Sequence, residues 1–60
     1  MLDIAQLETV YDTLAEAIDQ AGPEKSELFL VKLALLQAQE QGNAQQFAEL
    51  TQRALKDLTA

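Results

Sequence analysis

Sixty residues with no cysteine and no histidine leave few ways to hold a small fold together or to do chemistry. Disulfides, thiolate metal sites and the usual imidazole base are excluded, and ten acids against four bases (net −6) argue against nucleic acid or anionic membrane as a partner. A chain of this size buries only about 60% of its unfolded surface even when compact, so oligomerisation is the support that remains.

The charge is unevenly placed. Residues 1–24 carry six acids and no base, whereas residues 25–60 carry four of each, so the whole net charge resides in the first segment. Met1 and Leu2 are followed by acidic Asp3 rather than by a basic stretch, so no leader peptide is expected. A soluble cytoplasmic protein is the expectation.

The first predicted helix covers 3–21. Asp3 can cap it, with Gln6 three residues on completing a capping box and Leu2 and Leu7 placed for a hydrophobic staple. Its apolar positions, Ile4, Leu7, Tyr11, Leu14, Ile18 and Ala21, follow a heptad spacing widened by Val10 and Ala17. Gly22 and Pro23 end it, the glycine by a left-handed turn and the proline by its inability to continue.

The second predicted helix covers 23–41, with Pro23 as its first residue or Ser26 as an alternative start and cap. It contains the run Leu28–Leu36, LFLVKLALL, apolar at every position but Lys32. Nine residues fall far short of the roughly 20 that span a bilayer, so no membrane association is expected. On a helical wheel, Leu28, Val31, Leu35 and Ala38 form one stripe, Phe29, Leu33 and Leu36 another, and Leu30 lies beyond both. Only Lys25, Lys32 and Gln39 mark a polar strip. A helix apolar nearly all round is expected to be buried, and its neighbours in one chain cover at most two sides.

Gly42 and Asn43 make the second turn, the glycine closing one helix and the asparagine capping the next, with Gln46 at capping-box spacing. The third predicted helix covers 43–58, with Phe47, Leu50, Ala54 and Leu58 on one stripe and Thr51 and Leu55 alongside; fraying is expected after Leu58. The short link predicts a hairpin of the second and third helices. The fold class expected is all-α, a single domain over 1–60, with a helix 2–helix 3 hairpin, an N-terminal helix, and dimerisation through helix 2. The self-association residues singled out are Leu28, Phe29, Val31, Leu35 and Leu36.

Candidates for chemistry are few. Glu8, Asp12, Glu16 and Asp19 form an acid row on one face of the first helix. A cation site there is disfavoured, because successive turns set carboxylates parallel and about 5–6 Å apart instead of converging. The favoured reading is a solvated face, and the functional one is a docking face for a basic partner. Tyr11, Phe29 and Phe47 read as core aromatics, the two phenylalanines as inter-helix anchors. Ser26, Thr9, Thr13, Thr51 and Thr59 have no base at hand, and Gly22 and Gly42 are too isolated for a phosphate loop. Eight glutamines make much of the surface polar but uncharged, as suits an interface rim. No catalytic residue, cofactor or metal is expected.

The segment LVKLALLQAQEQGNAQQFAELTQRAL resembles a single tetratricopeptide hairpin through Leu33, Gly42 and Ala54. It departs where Leu35 stands at the small first-helix position and Phe47 at the usual alanine, and no second repeat is present. LETVYDTLAEAID followed by EKSELFLVKLALL is similar to a family of short proteobacterial proteins defined only as a domain of unknown function. That resemblance implies a small bacterial cytosolic protein, a setting beside flavin-dependent oxidation enzymes, and no functional residues to carry over. Three readings follow. The first is a non-enzymatic helical interaction or accessory module, homodimeric or higher, with another protein as partner. The second is an acidic regulator masking a basic surface, as an antitoxin or nucleic-acid mimic does. The third is an accessory subunit or small-ligand binder for an oxidative enzyme.

Overall fold

A computed structural model describes residues 1–56 and 58 as three helices: α1 (Ile4–Ala21), α2 (Ser26–Gln41) and α3 (Ala44–Leu55). The fold is all-α. Local chemistry accounts for nearly every boundary. The backbone N–H of Gln6 donates to Asp3 Oδ1 at 2.8 Å while that of Asp3 donates to Gln6 Oε1 at 3.2 Å, closing the expected capping box. At α3 the N–H of Gln46 donates to Asn43 Oδ1 at 2.9 Å.

The two hinges differ. Gly42 sits in the left-handed region (φ 70°, ψ 25°), its N–H donating to the Ala38 carbonyl at 2.9 Å. Gly22 has a positive φ of 83° but an extended ψ of 162°, not the left-handed turn expected. Pro23 is the cause, because the residue before a proline is pushed away from helical ψ values. That corner of backbone space is open to glycine almost alone. Neither glycine has an atom within 4 Å of a Cβ built on it, so replacement strains only the backbone. Gly22→Ala is expected to destabilise by about 1–3 kcal/mol. Gly42→Asn should be tolerated, because asparagine visits the left-handed region. Chemical denaturation followed by circular dichroism measures both, and an equal loss in the two variants would contradict this account.

One boundary decides between two expected starts, and one departs from expectation. Of the two expected starts, helix α2 takes Ser26 rather than Pro23, because the Lys25 N–H donates to the Gly22 carbonyl at 3.1 Å and closes a turn across Pro23 and Glu24. Ser26 is therefore the first helical residue, and the cap position, Lys25, makes no side-chain capping bond. Helix α3 stops at Leu55, not 58. There the N–H of Lys56 donates to the Arg53 carbonyl and that of Leu58 to the Leu55 carbonyl, both at 3.3 Å, so the ladder tightens to i→i−3 bonds and ends. The fraying expected after Leu58 lies outside the described residues.

Helix α2 is in the middle, but its neighbours do not cover it. No two described residues twelve or more apart in sequence bring their Cα atoms within 8 Å, so α1 meets α2 only around its hinge and the α2–α3 hairpin has splayed arms. Among the described residues none is buried. Half-buried positions are few: Leu14, Ala17, Ile18 and Ala21 on α1, Gly22 at the first hinge, Ser26, Phe29, Leu33, Ala34 and Ala38 on α2, and Phe47 on α3. The radius of gyration is 12.8 Å, against about 10 Å for a compact domain of this length. The expectation of a buried α2 is thus not met within one chain, because the two short links turn the helices without laying them along one another.

Candidate functional site

The surface that calls for a function is apolar and belongs to all three helices. On α2, Leu28, Val31, Leu35 and Leu36 are exposed, Leu35 and Leu36 at 63% and 61% of their full area, while Phe29 is half-buried near the α1 hinge. Leu30 is exposed as well. On α1 the seam divides into two halves. Leu14, Ile18 and Ala21 approach the hinge with α2, but Ile4, Leu7, Val10 and Tyr11 are bare, Tyr11 at 72% exposure. The expectation of Tyr11 as a core residue with its hydroxyl at the rim is corrected: it lies on the half of α1 that has left α2 behind.

The divergence of α2 and α3 opens a groove of about 810 Å³. Ala34 of α2 and Phe47, Leu50 and Ala54 of α3 give it an apolar lining, with Gln37 and Gln41 among its polar lining residues. Small alanines set its depth, since each removes a side chain that would otherwise fill the wedge. A second recess of about 490 Å³ lies between the end of α1 and α2, where Leu28, Phe29, Leu33 and Leu36 meet Lys25 and Lys32. The α3 stripe through Phe47, Leu50 and Ala54 was legible in the sequence as a helical face. Its use as a groove wall was not, and the only available signal was the alanines at 34 and 54.

The acid row of Glu8, Asp12, Glu16 and Asp19 is exposed throughout. It lies roughly 120° around α1 from the apolar seam, so both faces can be used at once. Among the described residues no three acidic side chains are grouped so as to hold a metal ion. Two of the hydroxyls are occupied locally: Thr9 Oγ1 donates to the Ala5 carbonyl at 3.2 Å and Thr51 Oγ1 to the Phe47 carbonyl at 2.8 Å. Thr59 lies outside the described residues. No helix of the described residues is long and apolar enough to cross a membrane.

No family model, curated protein or solved structure matches this chain. The tetratricopeptide-like and proteobacterial resemblances therefore bring no residue assignments, and the functional reading rests on the surface itself.

Proposed function

We propose that this chain is a non-enzymatic helical interaction module that associates with itself, with the exposed apolar face of α2 at the centre of the interface. The observation that carries this is area. The chain exposes 5722 Å², whereas a compact monomer of 6.6 kDa exposes roughly 3,900 Å². The surplus, roughly 1,800 Å² per chain, falls within the range that one subunit loses in an obligate homodimer, about 1,000–2,500 Å². Leu28, Val31, Leu35 and Leu36, with Phe29 beside them, supply the hydrophobic centre, and the glutamine-rich flanks suit the rim. Light scattering from micromolar to millimolar concentration tests it directly: the expected mass is that of a dimer or higher oligomer, and a monomer over the whole range overturns the proposal.

A second reading is favoured by the separation of the acid row from the seam. An α1 that buries its apolar side in the assembly still presents Glu8, Asp12, Glu16 and Asp19 outward, as an acidic regulator of a basic partner would. Asp12→Lys with Glu16→Lys distinguishes docking from solvation. If the row is only solvated, the variant gains a few tenths of a kcal/mol from relieved like-charge spacing and keeps its captured partners. If the row docks, a partner captured from lysate by the natural chain is released, as read by mass spectrometry of the captured proteins.

A further inference from the structure

We infer that the occupant of the α2–α3 groove is the first half of α1 from a second copy of this chain, exchanged reciprocally; this rests on the self-association proposed above. Two unsatisfied surfaces occur in the same chain. One is a groove lined by Ala34, Phe47, Leu50 and Ala54. The other is the bare stretch of α1 carrying Ile4, Leu7 and Tyr11, exposed at positions i, i+3 and i+7. That spacing is the one by which an amphipathic helix seats its anchors in a hydrophobic groove. In a self-contained three-helix bundle α1 would fold back into the groove of its own chain, but α1 and α3 do not approach each other here.

The hinge explains why. Gly22, held at φ 83° and ψ 162° before Pro23, directs α1 away from the length of α2, and the turn closed by Lys25 leaves little slack for its return. Short, constrained hinges favour exchange of an element between copies over closure within one. Lengths agree as well. Residues 4–11 span about 12 Å of helix and the twelve residues of α3 about 18 Å, so the bare half of α1 fits within the groove. Reciprocal exchange about a twofold axis uses both surfaces of both copies and leaves none to continue a filament.

The absence of cysteine makes the test direct. Leu7→Cys and Leu50→Cys are made in separate chains, mixed, and treated with a short bismaleimide; Tyr11→Cys with Ala54→Cys gives a second pair should one variant lose its helicity. The expected result is a covalent heterodimer joined between α1 and α3, located by mass spectrometry of the digest. A Leu35→Cys control reports the α2 face. If light scattering shows a dimer and Leu35→Cys cross-links to itself while neither α1–α3 pair does, exchange is overturned and self-association stands. A monomer that yields no intermolecular product overturns both. A doubly substituted Leu7→Cys, Leu50→Cys chain that cross-links within itself while monomeric and still helical by circular dichroism places α1 in its own groove and overturns exchange as well.

Discussion

Replacing Leu35 and Leu36 together by glutamate is expected to convert the assembly to monomer at any accessible concentration. Both side chains expose more than half their area on the separate chain, so in the proposed dimer their burial would come from association. Each buried leucine contributes about 1.5–3 kcal/mol. A twofold dimer loses four of them, and with about 60% of each still to be buried the loss is about 4–7 kcal/mol, which corresponds to about three to five orders of magnitude in Kd. Introducing four carboxylates into the same interface adds a desolvation penalty in the same direction. Sedimentation equilibrium reads the outcome. Gln39→Glu, on the polar strip of the same helix, is the control and should change the association constant little. If the double variant remains a dimer of native affinity, the apolar face of α2 is not the interface.

That prediction separates what the sequence can express from what it cannot. Capping is written in neighbouring residues, so Asp3 with Gln6, and Asn43 with Gln46, announce the starts of α1 and α3 without reference to anything distant. The glycines at 22 and 42 announce the ends of α1 and α2 for the same reason. The start of α2, left open between Pro23 and Ser26, was also local, but it hinged on a competition between two uses of Pro23. As the first residue of a helix or the second of a turn it satisfies the same φ, and the Lys25-to-Gly22 hydrogen bond decided for the turn.

Interhelical angle is of another kind. Periodicity told which residues of α2 and α3 share a face, and Phe47, Leu50 and Ala54 do line one side of the groove. Whether that face closes on α2 depends on the volume available opposite it, and Ala34 supplies too little to fill the wedge. The same holds for Tyr11. Its heptad position fixes the side of α1 on which it stands, while the Gly22 hinge fixes whether anything stands opposite. Faces are legible in a single sequence; the partner of a face is not, once that partner is another chain.

Stability should then depend on concentration, and this is the second large effect expected. The unfolded chain exposes about 9,600 Å², so the folded chain alone buries only about 40% of it, well short of the 60% usual for a compact chain this small. Helices of 12 to 18 residues are marginal in water without tertiary cover. On the proposed self-association, folding and association are then expected to be one transition. With an unfolding enthalpy of about 0.7 kcal/mol per residue, a dimer carries roughly 80 kcal/mol, and each tenfold dilution lowers Tm by about 6 °C. Circular dichroism melts over a hundredfold concentration range would show a shift of about 12 °C, with helicity at 25 °C falling at the dilute end. A Tm that stays fixed over that range would mean that α1, α2 and α3 hold together within one chain, and the surplus exposed area would then need a partner other than a second copy.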